Sequence, residues 1–151
     1  MLAYYKRHHP EWSPCASHID WDITNGERSE FLPTMKSDIF LSRGDKTIII
    51  DTKYYVKTMQ TNFERTTYIS ANLYQIYAYV MNHSKGRSGN VSGVLLYAKT
   101  DETITPDENI IVSGNSISVK TLGLDVNFAD ISKQLSNIVT GHERNEQLES
   151  Y

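Results

Sequence analysis

The sequence predicts a mixed α/β domain: a helix, three strands, a second helix, a further strand, and a closing hairpin and helix. Three observations carry that prediction. Between residues 17 and 55 the apolar residues follow strand periods, first alternating and then continuous. From Thr66 to Asn82 the period becomes helical. A short apolar segment, Val91 to Tyr97, then follows a loop bearing glycine and serine. Strands, helix and strand in that order give a sheet covered by helices.

Each element has a local reason. Leu2 to His9 reads as the end of a helix, stopped by Pro10. Ser17 to Thr24 alternates Ile19, Trp21 and Ile23 against His18, Asp20 and Asp22, which predicts a half-buried strand closed by Asn25-Gly26. Met35 to Ser42 is a second strand, and the turn Arg43 to Lys46 leads into a third, Thr47 to Tyr55. The run Ile48-Ile49-Ile50 predicts that this third strand is covered on both faces. In the helix, Ile69, Leu73, Ile76 and Val80 form the apolar stripe, with Tyr68, Asn72, Gln75 and Tyr79 beside it. Asn109 to Val112 and Ser116 to Leu122 form a hairpin, and Asn127 to Val139 a helix with Asn127 as its cap. Residues 1–140 are expected to be one domain, with 141–151 a polar tail that frays.

Composition narrows the function. At 39 % hydrophobic and 22 % charged, the 151 residues can build a core. No stretch approaches the roughly 18 apolar residues of a membrane span, and the first ten residues hold no apolar signal segment, so a cytoplasmic protein is expected. The single cysteine, Cys15, rules out an internal disulfide and a multi-cysteine zinc site. The formal net charge is -3, whereas a protein that holds DNA unaided carries a basic footprint. The sign is uneven: Lys36 to Arg65 holds six cations and four anions, and the chain from Ile76 onward six cations and nine anions. A polyanion site is therefore expected in the first half, assisted by a partner.

The chemistry lies in Asp38, Asp51 and Lys53. Strand alternation puts Asp51 and Lys53 on one face, with Thr52 on the other. If the second and third strands pair around Gly44, Asp38 comes opposite Asp51. Two carboxylates at the edge of a core repel unless a cation lies between them, and such hard oxygen donors suit Mg2+. A lysine two residues along can orient a nucleophile and stabilise charge on phosphorus. Asp-x(12)-Asp-x-Lys thus reads as a metal-dependent phosphodiesterase site; the competing reading is a solvated strand-end pair. Gln75 and Tyr79, at i and i+4 on the helix, could fix a phosphate or support the aspartates, or could simply pack. Lys36, Arg43, Lys46, Lys57 and Arg65 flank these motifs in sequence and are candidate DNA contacts. The stretch Asp101 to Glu108 reads as a solvated acidic loop.

Ser37-Asp38, Asp51-Thr52-Lys53 and Gln75-x-x-x-Tyr79, in this order of elements, resemble the PD-(D/E)XK nuclease superfamily with its RecB-like glutamine and tyrosine motif. More narrowly, Leu32 to Tyr55, Asn72 to Val80 and the flanks Tyr4 to Trp12 and Val91 to Glu102 are similar to the McrC family. That resemblance implies a restriction-endonuclease-like core. It further implies Mg2+, or Mn2+ as a substitute, held by Asp38, Asp51 and the carbonyl of Thr52. Lys53 would position the attacking water, and Gln75 and Tyr79 would support it. It implies a partner, the AAA+ GTPase McrB, which recognises modified-cytosine DNA, and restriction defence as the role. The sequence corresponds to the C-terminal nuclease domain of that family, whose members carry a further N-terminal region. Cutting both strands needs two such sites, so a homodimer is expected. Ser37 stands where the superfamily has proline, and Asp51 where glutamate is commoner. The competing functions are an autonomous RecB-like nuclease and a non-catalytic module that keeps the fold for assembly or DNA contact.

Overall fold

The computed structural model describes residues 1–27, 29–54, 58–86 and 89–149, with backbone alone for residues 62 and 143–149. The elements are α1 (Leu2–His8), a single 3-10 turn (Pro10–Trp12), β1 (His18–Ile19), β2 (Met35–Lys36), β3 (Ile39–Arg43), β4 (Lys46–Lys53), β5 (Met59–Asn62), β6 (Arg65–Tyr68), α2 (Ser70–Ser84), β7 (Val91–Ala98), β8 (Glu108–Val112), β9 (Asn115–Leu122) and α3 (Phe128–Glu149). The main sheet is mixed, in the order β3-β4-β7-β9-β8. β3 and β8 run antiparallel to their neighbours, while β4, β7 and β9 are parallel to one another. Two two-stranded ribbons, β1-β2 and β5-β6, flank it.

The isoleucine run behaves as its composition requires. Ile48 and Ile50 pack with Val94, Leu96 and Leu122 against Tyr5 of α1 and Leu135, Ile138 and Val139 of α3. Ile49 points the other way, joining Leu95, Tyr97, Ile117 and Val119 against Ile76, Tyr79 and Val80 of α2. β4 is thus buried on both faces of a three-layer domain. α2 lies so close to β7 that a Cβ on Gly93 would sit 2.7 Å from Val80 Cγ2 and 2.8 Å from Ile76 Cγ1. Both helix residues are fully buried, so the methyl of Gly93→Ala is relieved only by lifting α2. That variant is expected to lose roughly 1–3 kcal/mol, read by urea unfolding.

The remaining elements depart from expectation in instructive ways. Residues 17–24 keep the expected alternation of burial, but only His18–Ile19 are paired. Their partner β2 follows Pro33, which has no N–H to extend a ladder; its carbonyl instead accepts from Trp21 Nε1 at 2.8 Å. The expected strand Met35 to Ser42 is broken at Ser37 and Asp38, because the Ser37 N–H donates to Ser17 O at 2.9 Å rather than continuing beside β4. The expected helix start at Thr66 is replaced by a strand. β-branched Thr66 and Thr67 pair in β6 with Thr61 and Gln60, and α2 begins at Ser70. α3 is capped as expected, the Asn127 side chain accepting the Asp130 N–H at 3.0 Å, but continues past Val139 to Glu149 through the stretch expected to fray. Among the described residues no helix is long and apolar enough to cross a membrane.

Candidate active site

The β3-β4 register pairs Ile39 with Ile50, so Asp38 and Asp51 each lie one residue beyond the same rung. Asp38 is therefore in the bend ahead of β3 rather than inside a strand. Its Oδ2 accepts two hydrogen bonds from Thr52, from the backbone N–H and from Oγ1, both at 2.8 Å. A strand residue directs its N–H and C=O to the same edge. The Thr52 carbonyl therefore opens to the same edge of β4 as Asp38.

Asp51 is buried, 3 % exposed, on the α2 face of β4. Its Oδ2 lies 2.7 Å from Lys53 Nζ as an ion pair. Lys53 is the partner that the described residues give this buried oxygen. Burial raises the Asp51 pKa above its usual value; the Lys53 ammonium opposes the shift and the Asp38 charge adds to it.

Lys53 is steered from the helix. Its Nζ donates to Gln75 Oε1 at 2.9 Å, and Gln75 Nε2 donates to the Tyr79 hydroxyl at 2.7 Å. The Tyr79 hydroxyl donates in turn to the carbonyl of Lys36 at 3.2 Å. The i, i+4 pair therefore does more than pack: it ties the lysine of β4 to the backbone two residues ahead of Asp38. Ser37, which the sequence reading treats only as a proline substitute, is buried and completes the support. Its Oγ donates to Ser17 O at 3.2 Å and accepts the Ser17 N–H at 3.3 Å.

Asp38, Thr52, Lys36 and Tyr54 line an open groove of about 410 Å³ beside the site. Of the candidate DNA contacts, Lys36 is here and exposed. Arg43 and Lys46 are not. They face each other at the far end of β3 and β4, where the Arg43 guanidinium lies 4.5 Å from the centre of the Trp12 ring. Five residues of extended chain separate Arg43 from Asp38, roughly 17 Å, so proximity in sequence does not make them flank the site. Arg65 is exposed on the β5-β6 ribbon. Lys57 lies outside the described residues.

The candidate donors, the Asp38 and Asp51 carboxylates and the Thr52 carbonyl, are all hard oxygen atoms, the kind that Mg2+ takes. Among the described residues no three His, Cys, Asp or Glu side chains gather as a metal cluster; two carboxylates and a carbonyl are what an ion that keeps several waters uses.

The family model of the McrBC 5-methylcytosine restriction system component matches residues 17–98, more than half of the chain. The chain belongs to this family. The matched span of the McrBC component runs to the end of β7 and contains Asp38, Asp51, Lys53, Gln75 and Tyr79. The type IV methyl-directed restriction enzyme EcoKMcrBC of Escherichia coli K12 is 26 % identical over 124 residues, 81 % of this chain and 35 % of that protein. A solved assembly of Thermococcus gammatolerans McrB AAA+ hexamers with bound McrC contains a similar fold. Its TM-score is 0.54 at 18 % identity, covering 89 % of this chain and 30 % of the other. The chain thus spans about a third of the length of these relatives.

Proposed function

We propose that this McrBC component is a Mg2+-dependent DNA endonuclease domain with a PD-(D/E)XK core, hydrolysing phosphodiesters when recruited by an AAA+ GTPase partner to modified-cytosine DNA. The observation that carries it is the chain of contacts Asp51–Lys53–Gln75–Tyr79, set beside Asp38 at the adjoining strand end. A solvated strand-end pair needs no buried aspartate and no helix-borne glutamine to aim its lysine.

Asp38, Asp51 and the Thr52 carbonyl would hold the ion. When bound, Mg2+ supplies Lewis-acid polarisation of the phosphate and lowers the pKa of bound water. The protein's own groups do the rest. Lys53, held at a fixed angle by Gln75, orients the attacking water and stabilises charge developing on phosphorus. Lys36 at the rim of the groove holds a neighbouring phosphate.

Recruitment by a partner accords with the net charge of -3 and with the AAA+ hexamers in the assembly of similar fold. The chain alone is therefore expected to cut cytosine-methylated DNA slowly, and to speed up at least tenfold when its GTPase partner and GTP are added to a gel-based cleavage assay. Rapid cutting of unmodified DNA by the chain alone would instead indicate an autonomous nuclease.

A further inference from the structure

Between β4 and α2 the chain makes a hairpin of its own. β5 and β6 pair from Met59↔Tyr68 to Asn62↔Arg65 and close on Phe63 and Glu64. Both turn residues lie in the left-handed region, with φ of 48° and 64°. Two-residue turns of this hand favour Asn-Gly, because a Cβ is strained there. Phe63 fits worst of all: a bulky ring in left-handed backbone, wholly exposed at 104 %. Phenylalanine gives the fold neither a relaxed turn nor a buried side chain here.

The base of the hairpin, by contrast, is pinned on three sides. The Thr58 N–H and hydroxyl donate to the Glu102 carboxylate at 2.7 and 2.6 Å. Gln60 Nε2 donates to Ser70 Oγ at 2.8 Å. The Tyr68 hydroxyl donates to the Glu108 carboxylate. Two acids of the stretch that reads as a solvated loop are thus braces at the foot of the stalk.

The surroundings of the tip decide what it meets. Thr61, Glu64, Arg65 and Thr66 are all exposed. A protein interface needs a contiguous apolar centre within about 800 Å² per partner, and a single ring among polar groups does not supply one. Stacking on a base, or wedging between two, needs only one ring. Arg65 offers a cation to the adjoining phosphate, while Glu64 repels phosphate and leaves the base as the apolar surface within reach. The hairpin leaves β4 a few residues after Lys53, and its stalk spans roughly 13 Å, about four base-pair steps.

We propose that Phe63 is a base-stacking wedge, entering the DNA a few base pairs from the scissile phosphate and fixing the duplex against the cleft. The proposal rests on the nuclease reading above. It is tested without divalent ions, so that no strand is cut, on short duplexes carrying 2-aminopurine at successive positions. The wild-type chain raises the probe's fluorescence at one step. Phe63→Ala abolishes that rise and weakens affinity about tenfold, while Phe63→Trp retains both. Phe63→Asn/Glu64→Gly, which relaxes the turn, melts at a higher temperature yet loses the same DNA signal; a merely structural residue would show the opposite.

Equal affinity and equal fluorescence response in Phe63→Ala and wild type overturn the wedge, as does a wild-type chain that binds the duplex, alone or with its GTPase partner, and gives no response at any position. If Phe63→Ala instead keeps its DNA affinity but no longer binds the GTPase partner, the tip belongs to a protein contact and the wedge is wrong. Lys53→Ala separates the two readings. Lys53→Ala that no longer cuts in Mg2+, beside an inert Phe63→Ala, removes the wedge alone; unimpaired cutting by Lys53→Ala removes the nuclease reading itself.

Discussion

Lys53→Ala is expected to slow DNA cleavage about 10³-fold, the range seen when one pre-aimed electrostatic donor is removed from a transition state. The loss should fall on kcat, with DNA affinity nearly unchanged, because the ammonium, held by Asp51 and Gln75, acts on the attacking water and on charge that develops only in the transition state. Folding should survive. The partner left behind, Asp51, already has a raised pKa and can take up a proton rather than stay charged and unpaired. Metal affinity should be equal or higher, since the ammonium occupies the oxygen that a cation would use. Circular dichroism, calorimetric metal titration and single-turnover cleavage read these three outcomes separately. Cleavage at the wild-type rate would remove Lys53 from the chemistry.

Asp38→Asn and Asp51→Asn are expected to act on the opposite variable. Each exchanges a charged oxygen ligand for a neutral one, and either should weaken Mg2+ or Mn2+ binding by about 100-fold or more, at or beyond the upper end of what outer-sphere partners are worth. At a metal concentration 100 times the wild-type Kd, the folded protein gains about 2.7 kcal/mol; both variants should lose nearly all of that gain in thermal melts. Asparagine at 38 can still accept the Thr52 N–H through its side-chain oxygen, so Asp38→Asn tests the charge without dismantling the bend. The sign with pH follows from Asp51. Because its folded pKa is raised, protons compete with the ion above the usual carboxylate range, and wild-type affinity should climb as pH rises through that raised value. In Asp51→Asn that dependence should flatten.

The placement of the candidate site residues was legible in the sequence where periodicity alone determines geometry. Alternation placed Asp51 and Lys53 on one face, the turn at Gly44 brought Asp38 beside them, and helical spacing paired Gln75 with Tyr79. What failed was distance inferred from sequence neighbourhood. An antiparallel hairpin carries its turn away from its ends, so Arg43 and Lys46, between Asp38 and Asp51 in sequence, finish at the far end of the two strands. The β5-β6 hairpin was hidden because Phe63-Glu64 carries no Asn-Gly turn signal, and because Tyr68 and Ile69 continue the phase of α2 backward. Composition also could not separate Glu102 and Glu108 from ordinary solvated acids, since their hydrogen-bond partners Thr58 and Tyr68 are 44 and 40 residues away. The insertion of β9 between β7 and β8 had no local signal either: a hairpin can join a sheet by either strand.

A crystal of the chain grown with Mn2+ and measured at the manganese absorption edge would interrogate the centre itself. The expected anomalous peak lies between the Asp38 and Asp51 carboxylates, within coordinating distance of the Thr52 carbonyl, with Lys53 Nζ displaced from Asp51 yet still on Gln75. A peak held by other residues, or none at a Mn2+ concentration that supports cleavage, would contradict a cutting centre built from these two strand ends.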